Sequence, residues 1–258
     1  MNKILFGCLL LLLFSCTQEK KWKMVWNDEF DYSGLPDSTK WTAEVGGHGW
    51  GNNEWQYYTS GRRENARVEN GLLIIEARKE NWDSSRFTSA RLVSRGKGDW
   101  QYGKIEVRAK LPKGVGTWPA IWMLASTSPL EWPDDGELDI MEHVGFNQGT
   151  IHGSVHCKKY NHIIGTQKTS TITVNDCSDN FHVYTAEWNK DSVKIGIDGR
   201  DYFRFANEHT GYDAWPFDNK MHLLLNVAVG GNWGGEKGVD ENIWPQKMEI
   251  DYVRVYQQ

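Results

Sequence analysis

Apolar and polar residues alternate with a period of two along most of this 258-residue chain. Residues 104–111 are the clearest case, since every second residue there is apolar, as in a β-strand with one face exposed to water. No segment after about Trp22 keeps the 3.6-residue apolar period of a helix over a dozen residues. The pattern therefore predicts an all-β protein.

The same alternation returns between turns that contain glycine. Residues 193–197 alternate up to Asp198-Gly199, and the pattern resumes at Tyr202, which is typical of a β-hairpin. Further strands are predicted at residues 72–77, 181–188, 223–229 and 248–256. About 240 residues without a linker or an internal repeat predict one domain, either a sandwich or a barrel. Aligned sheets packed face to face would leave one concave face for a long substrate.

Charge and composition narrow the class of ligand. There are 29 Lys and Arg against 34 Asp and Glu, a formal net charge of -5, which argues against nucleic acid as the main partner. The chain also has 14 Trp and 26 Gly. Glycines suit the turns between strands. Flat indole rings offer large contact areas with a polar N–H, so some of the tryptophans are candidate contacts for a neutral polymer.

The first 15 residues are typical of a signal peptide, with Lys3 followed by an apolar run too short to span a membrane. Residues 13–16, Leu-Phe-Ser-Cys, resemble the lipobox of bacterial lipoproteins. The resemblance implies a lipidated Cys16, a tether over residues 16–24 and a single domain over residues 25–258. It predicts an exported, membrane-anchored lipoprotein at the outer membrane or cell surface of a Gram-negative bacterium. An ordinary signal peptide with an unrelated Cys is the alternative.

Two further cysteines, Cys157 and Cys177, lie in the predicted domain. An exported protein can pair them in a disulfide. Two buried free thiols, acting as small apolar side chains, are the alternative. Their spacing in the sequence does not decide between the two, because a disulfide needs its Cα atoms within bridging range.

Three carboxylates fall within six residues at Glu137, Asp139 and Glu142. In a strand, Glu137 and Asp139 share a face, whereas Glu142 would point to the opposite face. An unpartnered Glu on the buried face would be costly. One extra residue bulged out near Met141 would return Glu142 to the face of the other two acids, as bulges near active sites do.

Two Glu with an Asp between them suit hydrolysis of a glycosidic bond with retention of configuration. One carboxylate attacks while the other donates and then recovers a proton. The middle acid helps to separate their pKa values. Two alternatives remain on spacing alone: acids on a solvated strand face, and a metal site, since hard cations also prefer clustered oxygens.

The segment from Glu137 to Glu142 resembles the E-x-D-x-x-E signature of glycoside hydrolase family 16, in its laminarinase and β-glucanase branch. The likeness extends, in order, over residues 26–257. Other matching segments are WGNNE at 50–54, QYYT at 56–59, YGKIE at 102–106, LPKG at 111–114, WPAIW at 118–122, LNVAVGGNW at 225–233 and DYVRVY at 251–256. Trp55 departs from the pattern, because many relatives carry a smaller apolar residue there, and Cys157 lies where no Cys is expected.

The resemblance implies a jelly-roll sandwich of two curved antiparallel sheets with an open substrate cleft. It implies that Glu137 is the nucleophile, Glu142 the acid/base and Asp139 the helper that holds Glu137. The expected activity is retaining, endo-acting hydrolysis of β-1,3 or mixed β-1,3-1,4 glucan by a monomer without a catalytic cofactor. Two alternatives are a hydrolase of another β-linked polysaccharide, such as a marine galactan, and a non-catalytic glycan-capture lipoprotein.

The resemblance also assigns binding residues. Those expected to contact substrate are Asn52, Arg91, Trp118, Trp122, His156, Asn226 and Trp233. Three other tryptophans, Trp26, Trp41 and Trp188, lie in apolar strand patterns and are expected in the core. Asn52, Arg91 and Asn226 could instead bond to loop backbone, and His156 could be a structural histidine. Many members of the family bind one structural Ca²⁺, and the matching positions are Glu29, Gly71 and Asp251.

Overall fold

The computed structural model describes residues 21–258, which form two β-sheets around one apolar core. We call the ten-stranded sheet the back sheet. Its strands are β1 (Lys23–Asp28), β3 (Gln56–Tyr58), β4 (Ala66–Glu69), β5 (Leu72–Trp82), β6 (Ser85–Ser89), β9 (Gly103–Lys110), β14 (His182–Trp188), β15 (Ser192–Ile197), β16 (Arg200–Ala206) and β18 (Gln246–Gln257).

We call the eight-stranded sheet the site sheet. Its strands are β2 (Thr42–Glu44), β7 (Arg91–Val93), β8 (Asp99–Trp100), β10 (Thr117–Ala125), β11 (Glu137–Glu142), β12 (Thr150–His156), β13 (Lys168–Thr173) and β17 (Met221–Val229). A 3₁₀ turn covers Gly145–Asn147. All the pairings are antiparallel except that of β3 with β6.

The core lies between the two sheets and follows the period-two pattern. Strand β9 alternates buried and half-buried residues along its whole length, whereas all nine residues of β17 are buried. Strand β17 is buried on both faces because Leu223 and Leu225 lie in the main core, whereas Leu224 packs with Val93 and Leu124 in a second apolar cluster that Trp122 and Trp132 cover. Trp41 and Trp188 are buried, and Trp26 packs edge-on against Trp41 with 5.5 Å between ring centroids, so the expected core placement of these indoles is confirmed.

The strands predicted from alternation are confirmed, with differences at their ends. Strand β5 continues five residues past the predicted end at Ala77, because its charged second half pairs with β6 in a hairpin. Strand β1 begins at Lys23, within the segment expected to be tether, and pairs with β18. Residues 1–20, and with them the predicted signal peptide and Cys16, lie outside the described part of the chain.

Cys157 and Cys177 are both free and fully buried. The Cys157 thiol donates to the carbonyl of Ala214 at 3.6 Å, and Cys177 lies 3.7 Å from the Gln148 amide. Burial raises the pKa of both thiols. They therefore act as small core side chains, which is the second of the two arrangements expected. Over residues 21–258 the structure has no helix that is long and apolar enough to cross a membrane.

Candidate active site

A β-bulge in β11 brings the three acids onto one face of the site sheet. Against β10, Met141 pairs with Ile121 and Asp139 pairs with Trp122, which leaves Ile140 as the extra residue. The pairing with β12 shifts over the same interval. The bulge predicted near Met141 is thus confirmed. Its effect is that Leu138, Ile140 and Met141 are fully buried in the core while the acids share the other face.

Glu137 lies at one end of this row, among donors and a second acid. The indole Nε1 of Trp132 donates to Glu137 Oε2 at 2.9 Å. His156, the partner of Glu137 across the β11–β12 ladder, places Nε2 3.8 Å from Glu137 Oε1 and 3.2 Å from Asp139 Oδ2. Asp139 is only 2% exposed. An oxygen of its carboxyl lies within 4.8 Å of one of the Glu137 carboxyl oxygens.

Glu142 lies at the other end and has a different set of neighbours. The indole Nε1 of Trp118 donates to Glu142 Oε1 at 3.0 Å. Trp233 packs edge-on against Trp118, with centroids 5.6 Å apart. The ring of His152, which pairs with Glu142 across the ladder, lies 4.8 Å from that of Trp233. Each glutamate therefore accepts a hydrogen bond from one indole, and the two predicted tryptophans Trp118 and Trp233 form a wall beside Glu142.

Burial raises the pKa of all three acids, because a charged carboxylate is costly away from water. Burial and the charge of Asp139 raise the pKa of Glu137 to about 8. Burial and the charge of Glu137 raise the pKa of Glu142 to about 7. Burial and the charge of Glu142 raise the pKa of Asp139 well above its usual range. The row therefore retains protons at neutral pH, as acid/base catalysis by a carboxylic acid requires.

A second group of predicted residues lies on the neighbouring strands β10, β17 and β7. Trp122 Nε1 donates to Asn226 Oδ1 at 2.7 Å, and Asn226 Nδ2 donates to the hydroxyl of Tyr58 at 3.0 Å. The guanidinium of Arg91 lies 4.7 Å from the ring centroids of both Trp122 and Trp50. Asn226 thus bonds to side chains, and not to loop backbone, and Arg91 is held between two indoles.

Asn52 belongs to the loop that supports the Trp233 side of the face. Its carbonyl accepts a hydrogen bond from Asn232 N at 2.7 Å. Beside it, Glu54 accepts from Gln56 Nε2 at 2.6 Å and from the Tyr58 hydroxyl at 3.3 Å. Burial raises the pKa of Glu54. Glu54 is thus a fourth carboxylate on this face, outside the predicted triplet.

Several residues of the site were missed by the sequence analysis: Trp50, Glu54, Tyr58, Trp132 and His152. The alternating pattern could have indicated Glu54 and Tyr58. Together with Gln56 they occupy every second position from Glu54 to the end of β3. Trp132 carries no such signal. It lies in the turn before β11, and only the path of that turn brings its indole to Glu137.

A metal ion is the remaining alternative for the acids. Glu137, Asp139 and His156 each offer one atom, and these atoms lie within 4.8 Å of one another. However, the N–H groups of Trp132 and Trp118 point at the carboxylates of Glu137 and Glu142. Each indole takes one lone pair of one glutamate, and Glu137 Oε1 and Asp139 Oδ2 lie toward His156, so the donors alone do not decide between proton transfer and metal ligation.

The expected calcium residues come from three separate segments at one corner of the back sheet. Gly71 turns β4 into β5, whose Leu73 pairs with Ile250 next to Asp251, and Glu29 directly follows β1, which pairs with β18. The side chain of Asp251 pairs with Arg108 at 2.6 Å, and that of Glu29 pairs with Arg254. The backbone carbonyls and the second Asp251 oxygen remain as oxygen donors, which suit calcium.

A depression on the described surface lies elsewhere. It has a volume of about 380 Å³ and lies on the outer face of the back sheet, where Lys104 pairs with Glu106 and Lys194 with Glu187. Paired charges on a solvated sheet face are common and offer no acid/base couple. The row of acids on the site sheet, and not this depression, therefore locates the candidate active site.

Comparison with known proteins gives the same family as the acid motif. The sequence model of glycosyl hydrolases family 16 matches residues 53–254. A β-glucanase of Rhodothermus marinus is 52% identical over 261 residues, which cover 98% of this chain and 91% of that protein.

Solved structures agree with the sequence relatives. The laminarinase from Rhodothermus marinus superposes with a TM-score of 0.91 at 52% identity, over 93% of this chain and 99% of that one. SCLam, a non-specific endo-β-1,3(4)-glucanase, superposes with a TM-score of 0.88 at 53% identity, over 92% of this chain and 91% of that one. The predicted jelly-roll fold is thereby confirmed.

Proposed function

The chain belongs to family 16 of the glycosyl hydrolases and is an endo-acting β-1,3(4)-glucanase, and from that premise we propose how its residues share the reaction. Glu137 is the nucleophile, Glu142 is the general acid and base, and Asp139 positions Glu137 and donates a hydrogen bond to it. The observation that carries this proposal is the bulge at Ile140, which turns all three acids to one face.

In the first step the Glu137 carboxylate attacks the anomeric carbon of the glucose unit at the cleavage point. The glycosidic C–O bond breaks, and its electron pair remains on the departing oxygen. Glu142 transfers its proton to that oxygen, so the leaving chain departs as a neutral alcohol. The product on the enzyme is an ester between the sugar and Glu137.

In the second step Glu142, now ionised, removes a proton from a water molecule. The water oxygen attacks the anomeric carbon, and the ester bond to Glu137 breaks with its electron pair returning to the carboxylate. Two inversions at one carbon give net retention. The enzyme recovers its starting protonation state, and the reaction consumes one water for each bond cleaved.

The assignment of roles depends on the donors around each glutamate. The resting pKa values, about 8 for Glu137 and about 7 for Glu142, would by themselves leave the proton more readily on Glu137. The proposed roles require the opposite distribution, with the proton on Glu142 and the anion on Glu137. Glu137 has the Trp132 indole and a neighbouring Asp139 whose pKa is raised well above its usual range. A protonated Asp139 donates to Glu137 and stabilises it as the anion that attacks.

The predicted binding residues have separate tasks in this proposal. Trp118 and Trp233 line the wall beside Glu142, where an indole face can stack on the apolar face of a sugar ring. Trp122 and Arg91 form the neighbouring platform, and Asn226 fixes the Trp122 indole. Asn52 and His156 offer hydrogen-bonding groups at the rim and beside Asp139, respectively.

A substrate panel tests the function. We expect rapid loss of viscosity with laminarin, barley mixed-linkage glucan or lichenan, and no such loss with agarose. Proton NMR of the first products should show the β-anomer before mutarotation, because the mechanism retains configuration. Hydrolysis of agarose without glucan hydrolysis, or α-anomer as the first product, would contradict the proposal.

A structural calcium ion at Glu29, Gly71 and Asp251 is a separate proposal. The carbonyls of Glu29 and Gly71 and one carboxylate oxygen of Asp251 would hold it, and it would link β1 and the β4–β5 turn to β18. Chelation should then lower the melting temperature without changing the initial rate, because the ion binds only the folded state. An Asp251→Asn variant should be less sensitive to chelation. Unchanged melting in chelator would contradict the site.

Export and lipid anchoring through Cys16 are proposed from the sequence alone. Acyl chains on Cys16 would hold the catalytic domain at a membrane surface. Cys16→Ala should move the protein from the membrane fraction to the soluble fraction. Cys8→Ala, a change within the predicted signal peptide, is the matched control and should leave the protein in the membrane fraction.

A further inference from the structure

A second aromatic surface lies outside the cleft, on the flank where β3 and β6 meet. Trp55, the residue that departs from the family pattern, is 39% exposed. Trp244 lies beyond it, and the two indoles contact the buried Phe87, at centroid distances of 6.3 Å and 5.0 Å. We call Trp55, Arg86, Glu241 and Trp244 the flank surface.

The Trp55 ring is held in place by a glycine. A Cβ added to Gly230 would lie 3.0–3.1 Å from three atoms of the indole, so only glycine lets the ring approach the backbone there. The Trp55 backbone N–H donates to Val229 O at 2.9 Å. A ring fixed by its backbone and by Gly230 loses little entropy when a ligand stacks on it.

Polar groups surround the two indoles of the flank surface. The guanidinium of Arg86 lies 5.5 Å from the Trp55 centroid and 3.0 Å from the Glu241 carboxylate. Lys79 also pairs with Glu241, at 2.8 Å. Flat apolar rings bordered by planar hydrogen-bonding groups match the chemistry of a neutral sugar, which has apolar ring faces and hydroxyl edges.

The flank surface is continuous with the cleft. Gly230 contacts Trp55, and the next residue, Gly231, contacts Trp118 and Glu54 on the cleft side. A Cβ added to Gly231 would lie 3.3 Å from a side-chain carbon of each. Two consecutive glycines therefore contact the outer indole on one side and the wall of the candidate active site on the other.

We propose that the flank surface is a second binding site for β-glucan, which holds a length of polysaccharide outside the cleft. This inference rests on the proposed function, since the occupant is the same polymer that the cleft hydrolyses. The site does no chemistry. Its effect is confined to long or particulate glucan, because a short oligosaccharide that fills the cleft does not extend to Trp55.

Binding to insoluble β-1,3-glucan particles tests the proposal. The proteins carry Glu137→Gln so that the particles are not digested. We expect Trp55→Leu to bind about three- to tenfold more weakly, as for the loss of one stacking contact. Trp55→Tyr should keep most of the affinity. Trp82→Leu is the matched control, since Trp82 is 41% exposed and, like Trp55, has a guanidinium over its ring, but it lies on the β5–β6 hairpin outside the flank surface, so this variant should bind as the parent does.

The same substitutions in the active enzyme separate this site from the cleft. Trp55→Leu should hydrolyse laminaritetraose with unchanged kcat/KM and melt cooperatively. Particle binding equal to that of the parent, an equal loss in Trp82→Leu, or a loss of tetraose hydrolysis in Trp55→Leu would each overturn the inference. Failure of the proposed function would appear differently, as no release of reducing ends from laminarin by the unaltered protein.

Discussion

The two ends of the catalytic strand β11 are alike in one respect and differ in another. Glu137 and Glu142 are both buried acids, and each accepts a hydrogen bond from an indole, at 2.9 Å from Trp132 and 3.0 Å from Trp118. Beside Glu137, His156 Nε2 lies 3.8 Å from Glu137 Oε1 and 3.2 Å from Asp139 Oδ2, so Asp139 and His156 lie at this end of the strand. Glu142 instead faces the wall that Trp118 and Trp233 form.

The difference indicates how one strand supports two opposite tasks. A nucleophile needs donors that stabilise its anion, whereas a general acid needs a site that retains its proton until the bond breaks. In the proposed mechanism, protonated Asp139 is the extra donor that serves the first need at the Glu137 end. At the Glu142 end, burial with a single donor serves the second.

The largest expected effects come from removing the two glutamates. Glu137→Gln should lower kcat on laminarin by about 10⁴-fold or more, and by as much on an aryl glycoside with a good leaving group. Glu142→Gln should lower it by about 10²–10⁴-fold on laminarin. On the aryl glycoside, Glu142→Gln should still form the glycosyl ester, seen as a burst of released phenol, because that leaving group needs no proton. A burst from Glu137→Gln would reverse the two roles.

A smaller loss is expected at Asp139. Asp139→Ala removes the carboxylic acid that donates to Glu137 and leaves no donor in its place, so kcat should fall by about 10- to 100-fold, as for one hydrogen bond to a charge. The formation of the glycosyl ester should slow more than its hydrolysis. Ser154→Ala, on the same face of the neighbouring strand, is the control and should change kcat little. Pre-steady-state kinetics measures the two steps separately.

The smallest effects come from the indole donors. They also give the sharpest test of which glutamate, Glu137 or Glu142, has the higher pKa. Each donor stabilises a charged carboxylate and therefore lowers its pKa. Without Trp118, the pKa of Glu142 rises, so the acid keeps its proton to higher pH and the alkaline limb of kcat/KM should move upward in Trp118→Phe. Without Trp132, Glu137 ionises only at higher pH, so the acid limb should move upward in Trp132→Phe. Each variant should lose about tenfold in kcat/KM.

The pH profiles also test the proposed roles of Glu137 and Glu142 against the pKa values of the two acids in the enzyme without substrate. If the proton remained on Glu137 and the anion on Glu142, as values of about 8 and 7 suggest, the two substitutions would move the opposite limbs. Trp118→Phe would then shift the acid limb. That outcome would contradict the role of Asp139 as the donor to Glu137.

Much of the fold can be predicted from the sequence because the period of two is a local property. Strands β9, β12, β15 and β18 each alternate strongly, and the odd spacing between Glu137 and Glu142 is enough to require a bulge if the acids are to share one face. The end of β5 is less predictable, because Arg78 to Glu80 carry charge on a strand that is paired by a hairpin and not by the core.

The parts of the site that the sequence missed depend on long-range contacts. Trp132 reaches Glu137 from a turn, and Tyr58 reaches Asn226 from a strand 168 positions away in sequence. Nothing local marks Trp132 as part of the site, and the alternation that includes Tyr58 does not show that it reaches Asn226. The family resemblance gave the acids their expected roles, but the partners of each acid come only from the folded chain.

Chemical rescue with azide tests the central claim most directly, because its product records which face of the sugar each glutamate serves. In Glu137→Gly, azide replaces the missing nucleophile and attacks an aryl β-glucoside opposite the leaving group, so the account predicts an α-glycosyl azide. In Glu142→Gly, Glu137 first forms the ester and azide then displaces it, which predicts a β-glycosyl azide. The reverse assignment of the two anomers by NMR would contradict the roles of Glu137 and Glu142.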